Sequence, residues 1–169
     1  MKIAIISDIH DNLTNLKICL SWCDKNKITS IVCCGDITNQ DTLEYLLNNF
    51  KNNIYLVQGN GETYPQEILR KYKHLKYYGR TGMFNIKNTK IGFCHEPFLI
   101  PKLFSKINTS EKNYDIIFYG HTHKPWESFK NNIKLINPGT LGGVYYRATF
   151  AVYDLMIKNI ELKILDSMN

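Results

Sequence analysis

The chain has 169 residues, of which 44% are hydrophobic and 21% are charged, and its formal net charge is +6. This length predicts one domain over residues 1–169, and the composition excludes a disordered chain and a membrane-spanning one, since no apolar run approaches ~18 residues. The apolar start at residues 3–6 is too short for a signal peptide, so we expect a cytoplasmic protein with no membrane partner. The positive charge favours anionic partners, although the lysines are spread over the whole sequence.

In the first part of the chain, short apolar runs alternate with amphipathic segments. This pattern predicts strands at residues 2–7, 30–34 and 53–58 and helices at residues 13–26, 42–50 and 65–72. Asn12 and Asp41 are the expected N-caps of the first two helices, and Pro65 suits the first turn of the third.

Strands dominate the rest of the sequence. We predict them at residues 75–78, 83–86, 90–94, 116–119, 126–129, 133–136, 149–155 and 160–165. A proline-broken apolar stretch lies at residues 97–104. The early alternation of strands and helices, followed by a strand-rich part, predicts an α/β domain of two packed sheets with flanking helices.

Polar residues follow five of the predicted strands directly. They are Asp8-Ile9-His10, Gly35-Asp36, Gly59-Asn60, His95 and Gly120-His121-Thr122-His123. Ligands of open α/β sheets bind at the carboxyl ends of the strands, so these residues predict one shared site. Carboxylate and imidazole ligands together suit Mn, Fe, Co, Ni or Zn better than Ca or Mg alone.

Two pairs of these residues, Asp8 with His10 and His121 with His123, are separated by one position. At an extended strand end this spacing projects both side chains to the same side, so each pair is expected to face the site. Each short motif alone also fits an ordinary turn or surface, and only their order along the chain is specific.

The order Asp-x-His, Gly-Asp, Gly-Asn, His and Gly-His-x-His resembles the calcineurin-like metallophosphoesterase superfamily, especially its small YfcE-type phosphodiesterase branch. Residues Asn137-Pro138-Gly139-Thr140 are similar to an Asn-Pro-Gly-Ser stretch of that branch. The resemblance implies a metallophosphoesterase fold, a four-layer α-β-β-α sandwich of two packed mixed sheets. It also implies a hydrolase acting on phosphoric ester bonds, with a small phosphodiester or phosphomonoester as substrate.

The resemblance further implies two divalent metal ions, with manganese expected first and nickel, iron, cobalt or zinc as alternatives. The expected ligands are Asp8, His10, Asp36 and His123 for the first metal and Asp36, Asn60, His95 and His121 for the second. The two ions would clamp the phosphoryl group and activate a bridging hydroxide as nucleophile. Among the ligands, catalytic roles are assigned to Asp36, Asn60 and His95.

One departure from the family pattern affects the chemistry. Many members have a histidine after Gly-Asn that protonates the leaving group, whereas this chain has Gly61. Glycine cannot donate a proton from a side chain, so we expect a preference for good leaving groups such as aryl esters.

Other residues near the motifs have expected roles. Glu62 is expected to orient its neighbours, and Glu96 to lie near the ligands or to narrow the pocket. Asp11 or Asn12 could orient a ligand histidine through its second ring nitrogen, and Arg147 could contact phosphate.

Two other functions stay open at this point. A non-catalytic scaffold resembling the small subunit of retromer would use residues 97–104 as an apolar partner site, but that subunit lacks one histidine of the set that this chain keeps. A nuclease would grip nucleic acid with the basic and tyrosine-rich residues 70–78, a reading that we do not favour because such charge runs are usually solvated. A homo-oligomer also stays open.

Overall fold

The structure is a computed structural model that describes residues 1–105 and 114–168. The described strands, in chain order, are β1 (Lys2–Ile6), β2 (Ser30–Cys33), β3 (Asn53–Leu56), β4 (Leu75–Tyr77), β5 (Thr81–Ile86), β6 (Thr89–Cys94), β7 (Ile116–Phe118), β8 (Trp126–Lys130), β9 (Ile133–Asn137), β10 (Thr149–Asp154) and β11 (Asn159–Ile164). The helices are α1 (Leu13–Lys25), α2 (Gln40–Asn49) and α3 (Ile100–Ser105), with 3-10 turns at Gln66–Arg70, Pro97–Leu99 and Leu165–Ser167.

The strands form two mixed sheets. The first has the order β11-β10-β1-β2-β3-β4, in which β1 to β4 are parallel and β10 and β11 are antiparallel to their neighbours. The second has the order β5-β6-β7-β9-β8, with β6, β7 and β9 parallel and an antiparallel strand at each edge. Because parallel neighbours run in the same direction, their carboxyl ends meet at one edge of each sheet.

Alternating residues of β1 show how the layers pack. Ile3 and Ile5 belong to the cluster between the two sheets, whereas Ala4 and Ile6 face the cluster formed with α1 and α2. This alternation is the two-residue period of a strand buried on both faces. On the outer face of the second sheet, Leu103 of α3 packs with Ile117. The layers are therefore helix, sheet, sheet and helix, which confirms the predicted α/β sandwich.

The helix starts are set by asparagine caps. Asn12 caps α1 as predicted, since its side-chain oxygen accepts the backbone N–H of Asn15 at 3.0 Å. The predicted cap of α2 at Asp41 is wrong, because α2 begins earlier and Asn39 accepts the N–H of Thr42 at 2.9 Å. Asp41 lies instead in the first turn, where its charge favours the helix dipole.

Two short apolar segments form less helix than their length allows. The helix expected at residues 65–72 is only the 3-10 turn Gln66–Arg70, which buries Ile68 and Leu69 but too few other apolar side chains to extend further. Residues 97–104 form a 3-10 turn followed by α3 and leave Phe98 exposed. No helix in residues 1–105 or 114–168 is long and apolar enough to cross a membrane.

Candidate metal centre

All seven expected ligands lie in the loops that follow parallel strands. From the first sheet come Asp8 and His10 after β1, Asp36 after β2 and Asn60 after β3; from the second come His95 after β6 and His121 and His123 after β7. The carboxyl edges of the two sheets therefore form opposite walls of one site. The sequence prediction that these residues share a site agrees with this placement.

The first group of potential ligand atoms belongs to Asp8, His10 and His123, and these atoms lie within 4.8 Å of one another. The Nε2 atom of His123 is 3.3 Å from Asp8 Oδ1 and 3.1 Å from His10 Nε2. Asp36 adjoins the group, since its Oδ2 atom is 3.7 Å from His10 Nε2.

The second group belongs to Asp8, Asp36 and His95, again within 4.8 Å. His95 Nε2 lies 3.3 Å from Asp36 Oδ2 and 3.1 Å from Asn60 Oδ1. The same amide oxygen of Asn60 is 2.8 Å from His121 Nδ1. Asp36 thus lies between the groups, and Asn60 connects His121 to the second one.

The hydrogen bonds of two histidines show that the cluster suits a cation. His95 Nδ1 is 2.8 Å from the carbonyl oxygen of Cys34, and His123 Nδ1 is 3.1 Å from that of Val144. A carbonyl can only accept, so Nδ1 carries the hydrogen and the Nε2 atom of the neutral ring turns a lone pair into the cluster. Carboxylate, amide and imidazole lone pairs then converge, and the donor set fits divalent metal ions.

The pKa shifts show the negative potential that the carboxylates create in the cluster. Burial opposes a charge on His95, but its hydrogen bond to Asp36 and the charge of Asp8 outweigh burial and raise the pKa of the imidazole. Burial likewise opposes ionisation of Asp36, yet the hydrogen bond and charge of His95 lower its pKa. The hydrogen bond to Asp8 raises the pKa of His123. The site therefore favours positive charge among ionised carboxylates.

The backbone at the ligands is left-handed rather than extended. The φ angles are 53° at Asp8, 44° at His10, 53° at Asp36, 70° at His121 and 58° at His123. The extended-strand explanation for the paired motifs is therefore wrong, although Asp8 and His10 do converge, with 3.8 Å between Asp8 Oδ1 and His10 Nε2. Each such residue costs about 1–2 kcal/mol, and strain of this kind persists where surrounding contacts fix it, typically at functional sites.

Two glycines allow the close approach of these loops. A Cβ atom on Gly59 would lie 2.0 Å from Asp36 Oδ1, and one on Gly120 would lie 1.9 Å from the hydroxyl of Ser7. Gly61 contributes its backbone, since its N–H donates to Asp36 Oδ1 at 2.8 Å. Any side chain at the first two positions would displace the residues before or at the ligands.

Two positioning residues were not identified from the sequence. The Thr140 hydroxyl donates to the carbonyl oxygen of Asp8 at 2.9 Å, and the Asn137 amide donates to that of Gly120 at 2.9 Å. Both side chains are buried. Residues 137–140 resemble a stretch of the family, but the side-chain directions that give Asn137 and Thr140 this role follow only from the packing of the two sheets.

Glu62 orients its neighbours, as predicted. Its carboxylate accepts the backbone N–H groups of Thr38 at 2.9 Å and Gly59 at 3.2 Å, which ties the loop after β2 to the loop after β3. Burial raises the pKa of this carboxyl.

Other expected roles are corrected. Asp11 accepts the N–H of Asn39 at 2.9 Å and Asn12 caps α1, so backbone carbonyls, not these side chains, orient His95 and His123. Arg147 pairs with Asp166 at 3.2 Å on the surface.

Glu96 lies next to His95 in sequence but turns to another partner. Its buried carboxylate forms an ion pair with Arg80, whose guanidinium lies 5.8 Å from the ring centre of Phe98. Among the described residues, its Oε2 atom has no hydrogen-bond partner. Glu96 is absent from both candidate ligand groups of the described chain.

A family model of the calcineurin-like phosphoesterase superfamily domain matches residues 1–158. The chain belongs to this superfamily. It is therefore a hydrolase that acts on phosphoric ester bonds, in a family that uses divalent metals. Phosphodiesterase MJ0936 of Methanocaldococcus jannaschii is 25% identical over 151 residues, which cover 85% of this chain and 86% of that protein.

Three solved structures share the fold. An archaeal phosphodiesterase superposes with a TM-score of 0.84 at 22% identity and covers 97% of this chain and 99% of its own. YfcE, a phosphoesterase from E. coli, gives 0.69 at 18% identity with 98% and 100% covered, which agrees with the small branch expected from the sequence. Vps29 of Chaetomium thermophilum gives 0.67 at 16% identity with 97% and 95% covered.

Proposed function

We propose that the chain is a phosphodiesterase with a two-metal centre. One ion would be held by Asp8, His10, Asp36 and His123 and the other by Asp36, Asn60, His95 and His121. The observation that carries the proposal is the convergence of carboxylate, amide and imidazole lone pairs, with two rings fixed by backbone carbonyls so that Nε2 points inward.

The ligand residues would hold the ions, and the ions would supply the chemistry. When bound, two divalent ions supply the positive charge that draws in a phosphoryl group and activates water for in-line attack. Asp36 would serve both ions from its place between the groups, and Asn60 and the buried His95 would complete the second group. Manganese is proposed first, and nickel, iron, cobalt or zinc would suit the same ligands. Cytoplasmic location and a single domain stay predictions.

We also propose a preference for good leaving groups. Position 61 offers only a backbone N–H, which Asp36 already accepts, so this residue has no proton to give a leaving oxygen. Rates should therefore be far higher for p-nitrophenyl diesters than for dialkyl diesters. Equal rates on the two classes would refute the preference without touching the metal centre.

Hydrolysis of bis(p-nitrophenyl) phosphate tests the main proposal. Metal-stripped protein should be inactive, added Mn²⁺ should restore turnover, and Asp36→Asn should abolish it. Asp166→Asn, which removes an exposed carboxylate paired with Arg147, is the matched control and should behave as the wild type. No turnover with Mn, Ni, Co or Zn would refute the enzyme and favour the Vps29-like scaffold.

The nuclease alternative gains no support from residues 70–78. Tyr72 and Tyr77 pack against the core of the first sheet, and the Tyr77 hydroxyl donates to Gln58 at 3.1 Å. His74 is 3.1 Å from the carbonyl oxygen of Leu47. These rings are therefore engaged in packing rather than free to stack on bases.

A further inference from the structure

An exposed tyrosine stands over one side of the candidate metal centre. The ring of Tyr145 lies 5.6 Å from that of His123, and 90% of the residue is exposed. His123 belongs to the first ligand group, so a molecule bound to that group would lie beside the tyrosine. Tyr145 contributes no buried core surface that would explain its place.

The backbone holds Tyr145 in this position at a cost. Its φ angle is 63°, a region that aromatic residues rarely adopt. The preceding residue, Val144, accepts the hydrogen bond of His123 Nδ1 at 3.1 Å, and Gly143 has a φ of 77°. The segment before Tyr145 is thus tied to the ligand loop, which keeps an exposed ring next to the site.

A cavity of about 330 Å³ adjoins the same loop. It is lined by Tyr119, Thr122, Lys124, Trp126 and Tyr146. Thr122 and Lys124 flank His123 in sequence, and Tyr146 follows Tyr145, so the cavity is lined by the chain neighbours of both members of the His123–Tyr145 contact. Lys124 Nζ lies 5.2 Å from the ring centre of Trp126, which places a cation among the aromatic side chains.

We propose that Tyr145, Tyr146, Trp126 and Lys124 form an aromatic subsite that binds a planar ring attached to the phosphoester substrate. Planar rings stack on tyrosine and tryptophan, and a lysine beside them favours a substrate that carries negative charge. A phenyl ester and a nucleotide share this chemistry. The inference rests on the proposed phosphodiesterase function, since it names the class of ester that the same site takes.

Binding of two phosphonates to manganese-loaded protein, measured by calorimetry, tests the subsite without turnover. Phenylphosphonate and methylphosphonate share the anionic group and differ in the ring. The wild type should bind phenylphosphonate more tightly, and Tyr145→Ala should weaken that binding about tenfold while leaving methylphosphonate unchanged. Tyr145→Phe should retain the preference because the ring remains.

Phe129→Ala is the matched control, since Phe129 is an aromatic residue that is 66% exposed on edge strand β8 and lies outside the cavity lining. It should change neither affinity. Equal binding of the two phosphonates by the wild type, or phenylphosphonate binding that Tyr145→Ala does not weaken, would overturn the subsite.

Turnover of bis(p-nitrophenyl) phosphate by the same preparations separates this inference from the proposed function. Turnover without a phenyl preference would overturn the subsite and leave the phosphodiesterase. A phenyl preference lost in Tyr145→Ala, in a protein without turnover, would support the subsite and overturn the proposed hydrolysis. A nucleoside monophosphate serves as a third probe in the same calorimetry. If Tyr145→Ala weakens its binding as it weakens that of phenylphosphonate, the planar ring can be a nucleobase.

Discussion

The two sheets bring different chemistry to the centre. The first sheet contributes the oxygen ligands, Asp8, Asp36 and Asn60, together with His10, whereas the second contributes only histidines. Neither sheet holds a complete set of ligands for either proposed ion. The site is therefore a product of sheet packing, and a bound metal would join the two halves of the sandwich.

Each wall combines a buried and a more exposed ligand residue. Asp8 and His95 are fully buried, whereas 28% of the His10 side chain is exposed and His121 is exposed at the surface. A proposed substrate would therefore reach the site past His10 and His121, while Asp8 and His95 fix the geometry from within.

After Asp36, substitution of Asp8 should have the largest effect, because its fully buried carboxylate lies within 4.8 Å of the potential ligand atoms of both groups. We predict that Asp8→Asn lowers kcat/KM for bis(p-nitrophenyl) phosphate by more than about 100-fold, beyond the loss typical of residues that only support a ligand. His121→Ala, which removes an exposed ligand from the opposite wall, should cost less. Activity of Asp8→Asn within tenfold of the wild type would contradict the role of this carboxylate as a ligand.

Manganese should hold the two sheets together. At a free concentration 100 times the dissociation constant, a bound ion stabilises by about 2.7 kcal/mol, which corresponds to a rise in Tm of about 5–10 °C for a domain of this size. Thermal unfolding with and without Mn²⁺ measures it. Asp36→Asn should lose the rise and Asp166→Asn should keep it. A rise of equal size in Asp36→Asn would place the ion elsewhere.

The ion pair between Glu96 and Arg80 should contribute to stability independently of the metal ligands. Arg80→Ala would leave the Glu96 carboxylate without its ion-pair partner, and we predict that the free energy of unfolding falls by about 2 kcal/mol. The control is Arg147→Ala, whose ion pair with Asp166 is exposed and should be worth about 0.5 kcal/mol or less. Chemical denaturation compares the two variants, and equal losses would argue against the buried pair.

The smallest expected effect concerns the hydroxyl of Thr140. Thr140→Val and Thr149→Val each remove a buried hydroxyl that donates to a backbone carbonyl, that of Asp8 in the first case and Pro138 in the second. Both should lose about 1 kcal/mol of stability. Only Thr140→Val should also weaken Mn²⁺ binding, by about tenfold, because its partner is a ligand residue. Equal metal affinities in the two variants would contradict this positioning role.

Much of the fold was predictable because its strands are short apolar runs that end in polar loops. Residues 2–7 and 30–34 were predicted as buried strands and form β1 and β2 within one residue. The cap of α2 was misplaced because Asn39 and Asp41 are both good cap residues, and the choice depends on where the preceding loop ends. The length of the helix predicted at residues 65–72 was overestimated, because too few of its side chains are buried to stabilise a longer helix.

The candidate ligands were named from the order of their motifs, but the geometry of their side chains was not predictable. Asp8 and His123 come from different sheets, and only the packing of those sheets places their side chains 3.3 Å apart. The left-handed backbone at Asp8 and His10 was not predictable either, because neither residue type requires it and the loop hydrogen bonds fix it. The role of Thr140 was not predictable because its hydrogen-bond partner, the carbonyl oxygen of Asp8, lies far away in sequence.

The central claim is that ligands from both sheets form a two-metal centre. Equilibrium dialysis of metal-stripped protein against Mn²⁺, followed by metal analysis, tests it most directly. We predict two ions per chain in the wild type and in Asp166→Asn, and a loss of metal in Asp36→Asn, because the carboxylate of Asp36 faces both groups. Two ions still bound by Asp36→Asn, or none bound by the wild type, would contradict it.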